Sequence, residues 1–560
     1  MQLYKQLKKI RFMDVFVVFS FAAIGLFHEF LACISGIALS IYLCRLVAKQ
    51  GGMRFYVNLT SIAVLLIVCF YGLSVFWAVD SGEAFIGFFK FLPLLLFMLV
   101  LMQDPRQAAV WLKTLPYLAA FITVVSAVLM QVPVLERYFS TAGRLSGTFQ
   151  YANTFALFLL VAILLIATKE KFSRADFVML PILLFGLIYS GSRTVFALMI
   201  VSVVALLVFK KNKKHRLALA GLVAAAVGVS AGYAVLTGNF SSIGRFLTTS
   251  LTESTFVGRF LYFYDALPVI LKHPFGLGYM GYSYMQYSFQ TGVYTVRFIH
   301  NDFLQLLLDV GWIPTGAFVA AVFKSFFKKG TSLTKRLLLF VITAHTCFDF
   351  NFQYLAIFML FILLLNYNDG EEKELSLTKT ACGTVAVLLS VCFLYIGVGQ
   401  GLSYFKLYTL SDRIYPWCTR NHIAMLASAD AGNSEKLADR VIKNNGYVAL
   451  AYRVKAGNSY SEGDFREVIQ NEKKAIQVSP FSYETYEEYC YFLINGIILY
   501  EKAGDTYSAE VCREELNAVA EQLKELPNRC SKLGRMIQDQ PQTELPPDIR
   551  EYIGETDDEE

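Results

Sequence analysis

Long apolar runs separated by short polar loops are the feature that most constrains this chain. Over roughly the first 400 of its 560 residues, runs of about 16–21 apolar residues alternate with loops that gather lysine and arginine. As an α-helix, a run of this length crosses the hydrocarbon core of a bilayer, which is about 30 Å thick. Because 56% of the residues are apolar and only 17% are charged, the composition fits lipid better than water as the solvent. The sequence therefore predicts an all-α, polytopic membrane helix bundle.

The apolar runs predict about 12–13 membrane spans. One long run divides at His28 and Glu29, and the runs around residues 348–353 are short, which leaves the count between those values. A signal peptide is not expected, because no small-residue cleavage site and soluble segment follow the first run. The predicted spans lie near residues 13–27, 29–46, 57–77, 84–102, 114–130, 151–167, 175–190, 194–209, 217–236, 301–320, 337–350, 353–366 and 380–398.

The basic loops predict the orientation. Lysine and arginine cluster in residues 45–54, 210–216 and 324–336, and cytoplasmic loops are the ones enriched in these residues. This places the N-terminus on the cytoplasmic side of the cytoplasmic membrane. With an odd number of spans, everything after about residue 400 then lies on the outer side. Three further segments become extracytoplasmic by the same reasoning: residues 131–150, 190–193 and 237–300.

The chain changes character near residue 400, where it becomes polar and rich in helix-forming residues. We divide it into a transmembrane domain at residues 1–400 and an extracytoplasmic helical domain at residues 401–560. The last residues, 555–560, predict a solvated acidic end.

Part of this C-terminal domain is similar to a tetratricopeptide repeat (TPR). The similarity rests on Gly463, Asp464, Phe465, Ala475, Ile476 and Pro480, and a looser second copy begins near Tyr486 and turns at Gly504. Solenoids need about three repeats to bury a core, so a helical tail is predicted and its identity as a repeat stays open.

The predicted outer segment at residues 237–300 is the longest interruption of the membrane domain, at about 64 residues. Its many tyrosines and phenylalanines argue against disorder. They predict a loop that folds against the membrane surface, where its tyrosines serve either as an interfacial belt or as platforms for sugars.

Several motifs in and around this loop resemble one protein family. The loop itself contains Gly258 and Arg259, then Tyr264, Asp265 and Ala266, then His273, Pro274, Phe275, Gly276, Leu277 and Gly278, and finally His300, Asn301, Asp302, Phe303, Leu304 and Gln305. Further matches are Arg144, Gly147, Tyr151 and Asn153, then Ser190, Gly191, Ser192, Arg193 and Thr194, and then Asp349 and Phe350. In order and spacing these motifs resemble the O-antigen ligase and O-antigen polymerase family over roughly residues 10–400.

This resemblance implies a glycosyltransferase that moves a glycan from undecaprenyl pyrophosphate to a lipid or cell-wall glycan acceptor on the outer face of the membrane. Ligase and polymerase share the donor and differ in the acceptor, so the motifs do not separate them. The helical tail outside the membrane favours a ligase and offers a surface for protein partners. Substrate identity rests on family analogy alone.

The chemistry implied by the resemblance selects the candidate residues. A departing pyrophosphate needs positive charge, and arginine binds phosphate oxygens with a planar fork that stays protonated. Arg193 and Arg259 are therefore the candidates for pyrophosphate binding, and His300, whose imidazole titrates near neutral pH, is the candidate that activates the acceptor. The alternatives are local hydrogen bonding for the histidine and lipid headgroup contacts for the arginines.

Four other residues are weaker candidates: Arg144, Arg297, Asp349 and Lys90. The arginines lie in predicted outer loops, and Asp349 lies where it can pair with an arginine of the site. Lys90 lies inside a predicted span, which marks either function or snorkelling toward the membrane surface.

The sequence predicts no cofactor, no metal ion and no nucleic-acid partner. It contains no CxxC pair, no Walker motif and no basic stripe interleaved with aromatic residues. Two other functions remain open: a transporter or flippase of lipid-linked sugars, which would predict inverted repeats, and a non-catalytic assembly scaffold.

Overall fold

The computed structural model describes residues 11–209, 213–238, 254–429 and 431–554. The predicted acidic end at residues 555–560 lies outside the described residues, as do parts of the basic loop at 210–216 and of the outer segment at 237–300. The described chain consists of a helical membrane half, residues 11–404, and a helical tail, residues 405–554.

The membrane half folds as helices joined by short connections. Its helices are α1 (Phe12–Ala22), α2 (Glu29–Gln50), α3 (Leu59–Leu73), α4 (Ser81–Gln103), α5 (Arg106–Leu129), α6 (Pro133–Phe139), α7 (Ala152–Ala167), α8 (Arg174–Ser190), α9 (Arg193–Phe209), α10 (Lys213–Thr237), α11 (Ser254–Lys272), α12 (Gly281–Phe289), α13 (Asp302–Val310), α14 (Trp312–Phe327), α15 (Leu333–Thr346), α16 (Leu355–Leu364) and α17 (Lys379–Tyr404). Helix is the expected result because each backbone group in lipid must find its partner within the same segment.

Five of these helices are long and apolar enough to cross a membrane: α2, α3 with its 3-10 extension to Phe76, α4, α5 and α17. Five more helices are apolar but shorter: α1, α7, α9, α14 and α16. Helices α7 and α16 are almost entirely buried, whereas α17 exposes most of its apolar side chains. The prediction of an all-α polytopic membrane protein is confirmed.

The predicted span at residues 301–320 is two helices. Helices α13 and α14 are separated by Gly311, whose φ of +82° is a conformation that other residues rarely adopt. A Cβ atom there would collide with the carbonyl oxygen of Pro274, which also accepts a hydrogen bond from the Trp312 N–H at 2.9 Å. The break arises because the turn at residues 273–278 packs against this point.

A short β-ribbon marks one end of the bundle. Strand β1 (Gly52–Val57) pairs with the antiparallel strand β4 (Glu371–Ser376), and strands β2 (Ser140–Thr141) and β3 (Arg144–Leu145) form a small hairpin elsewhere. The Gln103 side chain at the end of α4 fixes the ribbon by hydrogen bonds to both backbone groups of Arg54, at 2.7 and 2.9 Å. Helix α2 has 22 residues, so the ribbon lies about 33 Å from its Glu29 end.

The tail is helical throughout. Its helices are α18 (Tyr408–Ile414), α19 (Thr419–Leu426), α20 (Ala431–Asn444), α21 (Ala449–Glu462), α22 (Phe465–Val478), α23 (Tyr483–Ala503), α24 (Thr506–Lys524), α25 (Leu526–Arg529) and α26 (Pro547–Tyr552). Pairs α21–α22 and α23–α24 turn at Gly463 and Gly504, both with positive φ. These pairs fit two copies of a helix-turn-helix unit, and their identity as tetratricopeptide repeats stays a prediction.

The tail docks on the end of the bundle opposite the ribbon. The Tyr415 hydroxyl donates to the Gly82 carbonyl at 2.8 Å, and the Asn445 amide donates to Asp80 at 3.2 Å. Both acceptors lie at the start of α4. The tail therefore covers the end of the bundle at which α2 and α4 begin.

A second contact joins the tail to the outer segment. The Ser531 N–H donates to the Thr291 carbonyl at 2.9 Å, and Ile537 packs in a buried apolar cluster with Leu261 of α11. The backbones approach so closely that a Cβ atom on Gly534 would collide with Thr291. The end of the tail is thus fitted against α11.

Candidate active site

Asp349 is the centre of a polar cluster in the turn after α15, and its side chain is 1% exposed. Its carboxylate accepts hydrogen bonds from the Tyr151 hydroxyl at 2.9 Å, the Asn153 amide at 2.8 Å and the Phe350 N–H at 3.0 Å. Neutral donors therefore make short hydrogen bonds to both oxygens of this buried carboxylate.

His300 contacts the same carboxylate. Its Nδ1 lies 3.3 Å from Oδ1 of Asp349, its side chain is 21% exposed, and its ring meets Phe350 edge-on with 4.9 Å between ring centroids. The backbone at His300 is left-handed, with φ +56°, and ends an irregular segment. Helix α13 follows at once, because the Asn301 side chain accepts from the N–H groups of Phe303 and Leu304.

The contact with Asp349 determines which nitrogen of His300 is basic. A carboxylate accepts a hydrogen bond from an N–H group, so the neutral imidazole carries its proton on Nδ1. Nε2 then has a lone pair that can accept a proton. A base oriented by a carboxylate is the arrangement used to activate a hydroxyl group.

Arg259 brings positive charge to this cluster from α11. Its Nη2 lies 3.6 Å from Oδ2 of Asp349, and its side chain is 19% exposed. Helix α11 is held in place by Asp265, which accepts from the Thr291 hydroxyl at 2.6 Å and from the Tyr294 hydroxyl at 3.0 Å. Burial raises the pKa of Asp265, although these hydrogen bonds oppose the shift. Within the described residues, the guanidinium of Arg259 thus makes one long ionic contact, to the same carboxylate that His300 contacts.

Arg144 lies on the Asn153 side of the cluster, and Arg193 follows Ser190, one of its partners, in the sequence. Arg144 donates through Nη2 to the Asn153 side-chain oxygen and through Nε to the Ser190 carbonyl, both at 2.6 Å. Arg193 is half-buried at the first position of α9, three residues after Ser190. We call the set of His300, Asp349, Arg259, Tyr151, Asn153 and Arg144 the histidine cluster.

Arg297, another predicted candidate, belongs to a second cluster. Its Nη2 donates to Oε1 of Glu29 at 3.1 Å, and the same oxygen accepts from the Tyr279 hydroxyl at 2.7 Å and from Nη1 of Arg420 at 3.2 Å. Arg420 lies in the tail and also pairs with Glu83. The structure thus places a tail arginine among residues of the membrane half.

Lys90, the predicted intramembrane charge, joins this second cluster. Its Nζ donates to the Tyr279 hydroxyl and to Oε1 of Gln353, both at 3.1 Å, and lies 5.2 Å from the centre of the Phe27 ring. The residue is fully buried, so it does not snorkel to the membrane surface. We call the set of Glu29, Glu83, Lys90, Tyr279, Arg297, Gln353 and Arg420 the Glu29 network.

Sequence reasoning gave no role to several of these residues. Tyr151 and Asn153 were quoted only as parts of a motif, although their polar groups open an apolar helix. Glu29 and Glu83 are acidic residues in the first turns of apolar helices, which is a usable signal. Arg420 carried no signal, because its partner Glu29 is 391 residues away in the sequence.

The histidine cluster combines a base, an orienting carboxylate and arginine side chains. No group of three or more His, Cys, Asp or Glu side chains within the described ranges is placed to share a metal ion. The arrangement is suited to removing a proton from a hydroxyl group while neutralising negative charge beside it.

Comparison with protein families agrees with the motifs. Residues 177–319 match the family model described as O-antigen ligase, a range that contains Arg193, Arg259, Arg297 and His300. The comparison with curated proteins finds no match. The match at residues 177–319 confirms the resemblance to the O-antigen ligase family over that part of the chain and supports membrane glycan transfer as its general activity.

Proposed function

We propose that this protein transfers a glycan from undecaprenyl pyrophosphate to an acceptor hydroxyl, with His300 as the base. The observation that carries the proposal is the contact of His300 Nδ1 with Asp349 at 3.3 Å, with Arg259 on the same carboxylate. His300 and Arg259 also lie inside the region that matches the O-antigen ligase family model.

The proposed reaction is a single displacement at the anomeric carbon of the donor sugar. The acceptor oxygen forms a bond to that carbon, the bond from the carbon to the pyrophosphate oxygen breaks, and the acceptor proton goes to Nε2 of His300. Undecaprenyl pyrophosphate leaves with the bonding electrons. Attack from the opposite face inverts the anomeric configuration.

Arg259 and Arg193 are the proposed ligands of the pyrophosphate. A guanidinium has five donors, and a single 3.6 Å contact with Asp349 leaves most of those of Arg259 for phosphate oxygens. Arg193 is half-buried at the start of α9. Arg144 donates both to the carbonyl of Ser190, three residues before Arg193, and to Asn153 of the histidine cluster. These hydrogen bonds connect the segment before Arg193 to the cluster that contains Arg259.

We propose that the histidine cluster and the tail face the outside of the cell. The ribbon end of the bundle gathers Arg54, Lys328 and Lys335, as expected of a cytoplasmic face. The tail and Glu29 lie at the other end of α2, about one bilayer thickness away. This orientation gives the site access to lipid-linked donors in the outer leaflet.

We favour a ligase over a polymerase, because the tail lies against the segment that carries Arg259. Ser531 and Ile537 of the tail contact Thr291 and Leu261 of that segment. A large folded unit beside the site is suited to binding an acceptor or a partner protein. A transporter of lipid-linked sugars would not require a base oriented by a carboxylate.

The test is transfer of a labelled undecaprenyl-pyrophosphate oligosaccharide by the full chain in proteoliposomes, with lipid glycans and peptidoglycan fragments as acceptors. We expect His300→Ala to lose at least about 100-fold in turnover, the usual contribution of a general base. Arg259→Ala should lose turnover and bind the donor more weakly. His273→Ala is the matched control, since within the described chain the only hydrogen bond of its imidazole is to the Val269 carbonyl of the preceding helix.

Two results would overturn the proposal. One is transfer by His300→Ala at the wild-type rate. The other is movement of the labelled lipid across the bilayer without formation of a glycosidic bond, which would indicate a transporter. Product length separates single addition by a ligase from extension by a polymerase.

A further inference from the structure

We propose that Arg420 of the tail is a positioning residue for the pair formed by His300 and Asp349. The inference rests on the proposed function, in which His300 is the base. It makes the tail part of the catalytic apparatus, because the Glu29 network connects Arg420 to the segments on both sides of that pair.

Arg420 bridges three helices of the membrane half, α2, α4 and α17. Its Nε lies 2.9 Å from Oε1 of Glu83, its Nη1 lies 3.2 Å from Glu29, and its Nη2 donates to Gln400 at 3.1 Å. The side chain of Glu83 is fully buried, and that of Glu29 is 7% exposed. The planar guanidinium therefore fixes α2, α4 and the tail relative to one another.

The first connection from Glu29 leads to His300. Glu29 accepts from Arg297, which lies three residues before His300 in an irregular segment, residues 290–301. Such a segment has no ladder of backbone hydrogen bonds, so side-chain contacts determine its course. The contact of Arg297 with Glu29 therefore helps to determine where His300 lies.

The second connection leads to Asp349. The Tyr279 hydroxyl that donates to Glu29 also accepts from Lys90, and Lys90 donates to Gln353. Gln353 ends the 3-10 turn Asn351–Gln353, which begins two residues after Asp349. One network thus contacts the segments that carry both members of the pair.

Removal of Arg420 should have two separable effects, one on stability and one on the position of His300. Without it, Glu83 is a buried carboxylate that has lost its arginine, which is strongly destabilising. Glu29 would also lose one of its donors and would shift toward Arg297 and Tyr279. The first effect is structural, and the second displaces His300.

The experiment separates these effects with two variants of the full chain in proteoliposomes: Arg420→Met, and Arg420→Met combined with Glu83→Gln. The second variant removes the orphaned carboxylate charge, so we expect its melting temperature to return toward the wild-type value. Turnover should stay at least about 10-fold below wild type, with the donor KM within about twofold, as expected when only catalytic alignment is lost.

A pH profile provides a readout that a purely structural role would not change. The acidic limb of kcat reports protonation of the base. If Arg420 positions His300, the acidic limb of the Arg420 variants should differ from that of the wild type. Arg440→Met is the control, because Arg440 pairs with Asp412 inside the tail. It should keep the wild-type turnover and profile.

Recovery of both melting temperature and turnover in the double variant would overturn the inference, since Arg420 would then serve only to pair Glu83. An equal loss of turnover in Arg440→Met would overturn it too. His300→Ala is measured in parallel. If it is fully active, the proposed function fails; if it is inactive while the double variant is fully active, only the role of Arg420 fails.

Discussion

The histidine cluster and the Glu29 network each combine a buried carboxylate with tyrosine and arginine side chains, yet their arginines lie at different distances from it. In the network, Glu29 accepts from the neutral Tyr279 hydroxyl at 2.7 Å and is also contacted directly by Arg297 and Arg420 at 3.1 and 3.2 Å. In the histidine cluster, neutral donors occupy the short positions around Asp349, and the nearest charged nitrogen, on Arg259, lies 3.6 Å away. A cation that does not have to solvate a carboxylate is available to a ligand. We therefore expect the arginines of the network to position other residues, and Arg259 to be available to a ligand.

The largest expected effect is that of Asp349→Asn. An asparagine amide donates as well as accepts, so it no longer fixes the proton of His300 on Nδ1. We expect turnover to fall on the order of 10³-fold or more, the scale known for a carboxylate that orients a catalytic histidine. The measurement is single-turnover transfer with saturating donor. A loss below tenfold would mean that Asp349 does not orient the base.

Glu29→Gln probes the other cluster and should act on stability. It removes the carboxylate shared by Arg297 and Arg420, and breaking one side of a buried ion pair costs about 3–5 kcal/mol. We expect a lower yield and a lower melting temperature in detergent. Glu371→Gln at the ribbon is the control, since its side chain is 77% exposed. Unchanged melting of Glu29→Gln would contradict a structural role for the network.

Tyr151→Phe tests whether neutral donors to Asp349 keep Arg259 available to a ligand. Loss of the hydroxyl removes a neutral donor from Asp349, so Arg259 should move in to satisfy the carboxylate and become less available to phosphate. A hydrogen bond to a charged group is worth about 1.5–3 kcal/mol. We expect the donor KM to rise several-fold with little change in melting temperature. An unchanged KM would show that neutral donors do not keep Arg259 available.

The smallest effect concerns a third buried carboxylate, Glu472 in α22 of the tail, neither of whose oxygens has a hydrogen-bond partner within the described chain. Burial and the nearby Glu488 raise the pKa of Glu472 to about 9, against the opposing charge of Arg453. The folded state therefore holds a proton that the unfolded state loses above pH 4.5, and stability should fall as pH rises from 4.5 to about 9.

Glu472→Gln should remove this pH dependence and melt a few degrees above wild type at pH 8. The check is melting of the full chain at pH 5, 7 and 8. Parallel curves for variant and wild type would mean that Glu472 is ionised in the folded tail.

The helices were predictable because an apolar run of sufficient length satisfies its own backbone hydrogen bonds in lipid as an α-helix. The break at Gly311 was not predictable, because the hydropathy of the sequence does not show that Pro274 packs against the backbone there. The short α1 differs from its predicted span for a similar reason: the helix ends at Ala22 and the chain turns through Gly25 at positive φ.

The candidate site divides in the same way. Arg259, His300 and Asp349 were each predicted from local motifs, and the fold brings them together. Lys90 and Arg297 were predicted beside them, but the structure places both on Glu29 or its hydrogen-bonding partner Tyr279. Their partners come from α2, from the outer segment and from the 3-10 turn that contains Gln353, and no local pattern specifies contacts between such distant parts of the chain.

The left-handed backbone at His300 has a consequence for folding. For a residue with a Cβ atom this conformation costs roughly 1–2 kcal/mol, whereas glycine adopts it freely. A glycine at position 300 would thus adopt this backbone conformation with less strain than histidine, but it would have no imidazole. At this position the chain loses part of its folding free energy in order to hold an imidazole beside Asp349.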